Sequence, residues 1–557
     1  MSVSRIKNGT IYDPANGVNG EVRDLWIQDG KIISAPPDAD TFSGKTLDAT
    51  GYVVMPGGID MHCHIAGPKV NAGRKMTPEM KRNAAPLYRS EHTRSGTGGV
   101  VPSTFATGYL FASIGYTTAM DAAIPGLHAR HAHEELQDTP ILDKGFYLLF
   151  GNNHFVMKHL RNQDQKALDA YCSWLLESAK GYTIKIVNPG GVEDWKQISR
   201  KTIKELDSPV QNFGVTPRQI VCGLAGTADR LQLPHSVHIH CNNLGIPGNW
   251  ETTLNTMESL EGHRGHLAHV QFHSYDGDPN DPSSFSSATQ KLVDYVNTHE
   301  NITVDVGHIN PGLTLSMTGD TPFSQFLHNI NRNKWYTADC ELESSCGVIP
   351  IEYRPQRSLI NAVQWAIALE WYLLMEDPWR VIMTSDHPNG GAFYHYPEII
   401  YLLMDRSFRQ EFLSRMPEEI RERSVLADLE REYSLYEIAI ITRAAPARVL
   451  GMKEKGHLGV GAHADITIYA PQQNRQEMFE RPRWVFKDGQ LVVVDGEIQE
   501  HQFGRTFYTA PDFDQEFLPH IKNWFDENYT IRFRNYQIES HDLHKAEEVS
   551  CGMNQDA

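Results

Sequence analysis

Between Gly58 and Ser385 the chain repeats one rhythm eight times: a short β-branched run, a polar loop, then a helix-like stretch. The strand-like runs are 58–64, 115–122, 144–150, 182–187, 236–241, 266–272, 301–307 and 380–385, and 165–179 and 361–376 are typical of the helical segments. Strands that alternate with helices lie parallel, and eight such units in succession close into a TIM-like (β/α)₈ barrel. Hydrophobic residues make up 40% of the 557 positions, enough to fill a core of that size. In this architecture chemistry sits at the carboxyl ends of the strands, so polar clusters should fall there.

The rhythm is bracketed by two β-rich regions. Residues 5–54 and 459–497 both read as short strands punctuated by Asn-Gly and Asp-Gly turns. A small β-sandwich built from both chain ends would pair their edges; the alternative is two separate hairpin lobes. The expected organisation is residues 1–56 as one half of that sandwich, 57–450 as the barrel, 451–508 as the other half and 509–557 as an extension. The extension should carry a helix near 513–528 and a frayed last dozen residues, and the segment between the seventh and eighth strands reads as helix-rich.

Charge and cysteine usage exclude several classes. Fifty-one basic against 69 acidic residues leave −18, the wrong sign for a nucleic-acid-binding surface. Seven scattered cysteines without a C-x-x-C pair fit a reducing cytoplasm and no iron–sulfur cluster. No G-x-G-x-x-G follows a strand, the first residues lack the apolar core of a signal peptide, and the most apolar helical stretch is too short to span a bilayer. The expectation is a cytoplasmic chain with no nucleic-acid or membrane partner.

The strand ends carry the chemistry. Strand one closes on Asp60-Met61-His62-Cys63-His64, and alternation points Asp60, His62 and His64 to one face. Two imidazoles at that spacing can hold one metal ion, with Asp60 orienting a ring from behind; alternatively they are ordinary hydrogen-bonded histidines. Strand five supplies His238 and His240, strand six His269, strand eight Asp386 and His387. Four histidine positions and a carboxylate at one rim are hard to explain by packing alone. Lys185 stands in the β-branched fourth strand, where a buried ammonium must be paired or lose its charge. Carboxylation to a carbamate able to bridge two metals is one solution; a salt bridge is the other.

The segment Val54-Met55-Pro56-Gly57-Gly58-Ile59-Asp60-Met61-His62-Cys63-His64 resembles the amidohydrolase superfamily, as do the split β-sandwich, Lys185, His240, His269 and Ser385-Asp386-His387. The resemblance implies a binuclear centre of two Zn²⁺: His62, His64, N6-carboxylated Lys185 and Asp386 on one ion, and Lys185, His240 and His269 on the other. His238 shares a face with His240, so either could be the strand-five ligand. A closer resemblance extends over nearly the whole chain. The strings from Met61 to Asn71, Val237 to Asn249 and Leu267 to Ser274 are similar to the A-type subunits of formylmethanofuran dehydrogenases and of bacterial formyltransferase/hydrolase complexes. That family implies a formamide hydrolase acting on formylmethanofuran, with methanofuran as C1 carrier, Asp386 as the proton-transferring residue, and partner subunits of the B, C and D type. It implies formate release in the hydrolase complex and formate condensation in the dehydrogenase.

The segment from Lys69 to Arg94 holds seven basic residues against Glu79 and Glu91. It follows strand one, so Lys69, Arg74 and Lys75 either steer an anionic substrate, for which the anionic tail that the family resemblance implies would fit, or form a solvated helix face or a subunit contact. Asn242, Asn243 and His387 are further substrate-contact candidates, with His308, Tyr394 and His395 behind them. Two rival readings are a hydantoinase- or dihydroorotase-like cyclic amide hydrolase, disfavoured by the basic loop, and a non-catalytic scaffold, disfavoured by the full ligand set.

Overall fold

The computed structural model describes residues 3–84, 86–87, 89–199, 203–340 and 344–552. All eight expected barrel strands are present: Gly58–Cys63, Tyr116–Ile124, Asp143–Leu149, Ile184–Val187, Val237–His240, Gly265–Leu267, Ile302–Asp305 and Val381–Ile382. Each pairs in parallel with the next. The ring closes where the eighth strand runs out: Cys63 bridges to His387, and the His64 amide donates to the His387 carbonyl at 2.8 Å. The architecture is therefore a (β/α)₈ barrel.

Helices cover the strands for local reasons. Gln165–Ala179 starts behind Asp164, whose carboxylate accepts from the Ala167 amide, and stops at Lys180 in a left-handed conformation. Leu359–Leu374 starts behind Ser358 and buries Trp365, Trp371 and Tyr372 completely. Among the described residues no helix is long and apolar enough to cross a membrane.

Both chain ends contribute to one nine-stranded sheet. Its seam is the antiparallel pairing of Ile466–Tyr469 with Val53–Pro56. Ile6, Ile11, Ile27, Val54, Ile466 and Ile468 form its core. The Asp29-Gly30 and Asp488-Gly489 turns have both residues at positive φ, as two-residue hairpins require. Asn8-Gly9 is different: Asn8 (φ 59°) sits at a register shift inside the strand Ser4–Asp13, so this Asn-Gly pair makes a bulge and not a turn.

Three further expectations are corrected. The sixth strand ends at Leu267, because His269 turns left-handed and Val270–His273 coils into a 3₁₀ turn. The insert between strands seven and eight is mainly a three-stranded antiparallel sheet, Gly312–Thr318, Tyr336–Cys340 and Ser344–Tyr353, with one helix, Thr321–Asn331, packed on it. The extension does carry a helix, Leu518–Asn528, but Ala546–Glu548 is a strand paired with Thr506–Tyr508, which itself joins the barrel strand Asp143–Leu149 and not the end sheet. Aromatic stacking holds the extension down, with Trp524 on Phe155 and Phe533 on Trp174.

A buried ion network fastens the end sheet and the extension to the barrel. Asp143 contacts Lys455 and Lys487, both also paired with Asp465, while Arg505 bridges Asp488 and Glu547. Burial works against the charge of Asp143, but Lys455 and Lys487 outweigh it and hold the carboxyl well below the usual range. Burial also pulls Lys487 down, and Asp143, Asp465 and Asp488 more than restore it, leaving it above an ordinary lysine. Asp143→Asn should cost roughly 3–5 kcal/mol by removing the carboxylate that two buried ammonium groups share, leaving Lys455 to Asp465 and Lys487 to Asp465 and Asp488. Because the folded pKa of Asp143 is depressed, this contribution is complete above the free value of about 4 and is lost as pH falls through the folded value. Urea unfolding from pH 3 to 9 should give a constant gap between wild type and Asp143→Asn above about pH 5 that narrows in acid; a gap under 1 kcal/mol at pH 7 would remove the network from its role.

Candidate metal centre

The barrel axis gathers the histidines. His62 and His64, on alternate positions of strand one, aim their Nε2 atoms at the same oxygen, Asp386 Oδ1, at 3.1 and 3.0 Å. From the opposite wall His269 Nε2 lies 3.1 Å from His240 Nδ1. Donor atoms of His62, His269 and Asp386 all fall within 4.8 Å of one another. Lys185 enters from strand four, 1% exposed, with no hydrogen bond to its Nζ. Burial pulls its pKa down to about 7, against the opposing charges of Asp305 and Asp386. These six side chains line one narrow cavity at the carboxyl ends of the strands.

Behind three of the imidazoles stands a carboxylate. His62 Nδ1 bonds Asp305 Oδ2 at 2.9 Å, His240 Nε2 bonds Asp320 Oδ2 at 3.0 Å, and His64 Nδ1 lies 3.5 Å from Asp121 Oδ1. Such partners set the tautomer and leave the inward nitrogen as a lone-pair donor. Burial lowers the pKa of His240 and drives that of His269 well down, so both rings are neutral. Burial opposes the charge of Asp386, but His62 and His64 keep its carboxyl well below the usual range. Burial opposes the charge of His62, but Asp305 and Asp386 raise its pKa to about 9; this ring, the neutral His240 and His269 and the charged Asp386 converge on one point, beside a lysine with no hydrogen bond. The donor set fits a pair of divalent ions.

Strand five separates its two histidines. His240 faces the cavity, whereas His238 lies deeper, 3.2 Å from His235 and 3.5 Å from Asp305. Asp60 does not orient a ring; it accepts from the His62 amide and the Tyr396 hydroxyl, and burial pushes its carboxyl up to about 7.

The expected substrate contacts divide. Arg74 spends its guanidinium on the carbonyls of Pro102 and Ile65 and on Asn71, Lys69 is buried against the Ala123 carbonyl, and Lys75 is exposed. The three cations do not converge on the cavity: two of them brace the loop after strand one. Asn243 likewise holds both backbone groups of Lys204, and Asn242 donates to Asn188 and Pro189. His387 contributes its carbonyl to barrel closure and packs its ring on Phe393. His308 packs toward Tyr372, and Tyr394 and His395 lie on a 3₁₀ turn outside the cavity wall.

Other residues carry more than sequence reasoning gave them. Asp121 and Asp305 are charged positions inside apolar strands, the same signal that singles out Lys185. Asn389 donates to Asp386 Oδ2 at 2.9 Å and accepts from the Met317 amide at 2.6 Å, joining the candidate centre to the insert. The insert also supplies Asp320 and, through Met317, Phe323 and Tyr353, one wall of the cavity.

A family model described as Amidohydrolase family matches residues 45–498. The protein FwdA of Methanocaldococcus jannaschii is 44% identical over 554 residues, 96% of each chain. The A component of the formyltransferase/hydrolase complex Fhc of Methylorubrum extorquens is 38% identical over 95% of each. Among solved structures, the Methylorubrum extorquens complex FhcABCD with methylofuran contains a chain that superposes with a TM-score of 0.92 at 34% identity, covering 99% of this chain and 100% of that one. An N-acyl-D-glutamate deacylase of Bordetella bronchiseptica shares the fold at a TM-score of 0.51 and 14% identity, covering 90% of this chain and 99% of that one.

The backbone beneath His269 is tightly defined. Gly307 has φ 70°, and a Cβ there would lie 2.4 Å from the His269 Cβ. Gly307→Ala should therefore destabilise the fold by roughly 2–4 kcal/mol, through both the left-handed backbone and the displaced histidine. Urea unfolding measures it, and a loss below 1 kcal/mol would contradict the close approach.

Proposed function

The chain belongs to the amidohydrolase family, in the group of FwdA and the Fhc A component, and on that premise we propose that it is the formamide-cleaving member of a multisubunit complex. Its substrate is the N-formyl group of a methanofuran-type carrier, and its products are formate and the free amine. The observation that carries this reading is the convergence of His62, His64, His240, His269, Asp386 and an unpartnered Lys185 on one cavity.

His62, His64 and Asp386 would hold one zinc ion, His240 and His269 the other, with Lys185 bridging them as a carbamate. Two divalent ions bound there supply Lewis acidity toward a carbonyl oxygen and lower the pKa of water. Asp386 Oδ2, held by Asn389, takes the proton that the attacking water loses. The same carboxyl then delivers it to the nitrogen as the C–N bond breaks and the new C–O bond is kept in formate. Microscopic reversibility lets these groups condense formate with the amine, so flux follows the supply of formate from partner subunits.

Phe272, Phe323 and Met317 wall the cavity with apolar surface. A wall of that kind excludes bulk water and admits a formamide head, leaving the rest of the carrier outside. The insert and the surface around exposed Lys75 are the surfaces proposed for the carrier's anionic tail and for neighbouring subunits. In the assembled complex, elemental analysis should find about two zinc ions per chain, and formylmethanofuran should yield formate. Asp386→Asn should lower turnover by roughly 10²–10⁴-fold while zinc is retained. An intact complex with neither metal nor formate release would end this reading.

A further inference from the structure

We propose that Asp305 is the positioning residue of the metal centre, one carboxylate that fixes the tautomer of His62 and the backbone of His269. The inference rests on the reading above that these two histidines hold metal ions.

Asp305 ends the seventh barrel strand and is completely buried. Its Oδ2 faces His62 Nδ1 at 2.9 Å and His266 Nε2 at 3.2 Å, with His238 Nε2 at 3.5 Å. Its Oδ1 accepts from the His269 amide and from the Thr384 hydroxyl, both at 2.9 Å. A single side chain thus reaches ligand-bearing segments of strands one, six and eight.

Each bond acts on a ligand. A proton on His62 Nδ1, held by Asp305, leaves the Nε2 lone pair facing the centre. His269 has φ 36° and ψ 50°, a left-handed conformation unusual for a residue with a side chain, and its amide is aimed at Asp305 Oδ1. Thr384 lies two residues before Asp386, itself at φ 49°, and also accepts the Gly307 amide through the same hydroxyl.

The partners explain why the hub is a carboxylate and not an amide. An ionised carboxylate offers only acceptors, and its neighbours can all donate. An amide in its place must turn its NH₂ to one side or the other. Facing the rings, it forces His62 Nδ1 to accept and moves the ring proton to Nε2, the nitrogen that an ion requires. Facing the other way, it meets the His269 amide and the Thr384 hydroxyl donor to donor.

The test uses Asp305→Asn in the assembled complex, stripped with a chelator and reloaded with cobalt(II). The expected result is a 10–100-fold weaker affinity for cobalt, with an altered visible spectrum showing a changed ligand set. A purely structural role for Asp305 would lower the unfolding temperature and leave both cobalt readouts unchanged, and that result overturns the proposal. Should the variant not fold, the wild-type cobalt form carries the same test. The His62 Nδ1 proton should appear as a shifted resonance protected from solvent exchange, and rapid exchange overturns the proposal. Wild-type protein that takes up no ion would instead overturn the metal reading, and the role of Asp305 with it.

Discussion

Negative charge removed from water has to find a partner, and the interior of this barrel holds a good deal of it. Asp60, Asp121, Asp305, Asp320 and Asp386 are all buried around one axis, while the buried ammonium groups nearby are Lys69 and Lys185. Asp60 escapes the problem by rising toward neutrality, and Asp305 by taking several hydrogen bonds. Asp386 is held at Oδ2 by Asn389, and at Oδ1 it faces the Nε2 atoms of His62 and His64, whose outer nitrogens are turned to Asp305 and Asp121. Where both rings turn lone pairs toward that carboxylate, as their outer carboxylate partners favour, a divalent cation between them offsets the buried charge.

The ion network around Asp143 makes the contrast clear. Its centre is as buried and as charged, yet every carboxylate faces a cation: Asp143 and Asp465 meet Lys455 and Lys487, Asp488 meets Lys487, Arg505 and Lys545, and Glu547 meets Arg505. At its edge Glu454, His463 and Glu547 bring donor atoms within 4.8 Å of one another, but the two glutamates already pair with Lys31 and Arg505. One cluster closes on itself and fastens chain ends to the barrel. The other leaves lone pairs and an unpartnered lysine facing a cavity. Charge balance, more than ligand identity, separates a structural cluster from a reactive one.

The strand ladder was legible because β-branched runs at regular spacing have one stable arrangement, and the ligands were legible because they sit at the ends of those runs. Legibility failed where the backbone departs from its period. His269 leaves the strand early by adopting a left-handed conformation, and Asn8-Gly9 is a bulge though it has the composition of a turn. It failed again where a residue's partner is set by tertiary contact. Arg74 has the composition of a substrate-binding residue, but carbonyls of its own loop use its guanidinium. Asp320 arrives from the insert, and nothing in its local sequence marks it as the partner of a histidine some eighty positions earlier. Asp121 and Asp305 were readable by the criterion applied to Lys185, a charge within an apolar strand.

The insert ties these observations together. A barrel of eight short strands presents an open mouth, and ligands at its rim would face bulk water, where electrostatic interactions are weak. The three-stranded sheet between strands seven and eight lies over that mouth. It contributes Met317, Phe323 and Tyr353 to the wall, Asp320 to His240, and a backbone amide to Asn389, which in turn holds Asp386. The same element therefore dries the cavity and orients groups on both sides of the centre. Its placement is coupled to the ligands by hydrogen bonds, so a carrier molecule or neighbouring chain that pressed on the sheet would act directly on Asp386 and His240. That coupling ties the position of the insert to the geometry of the groups on the barrel axis.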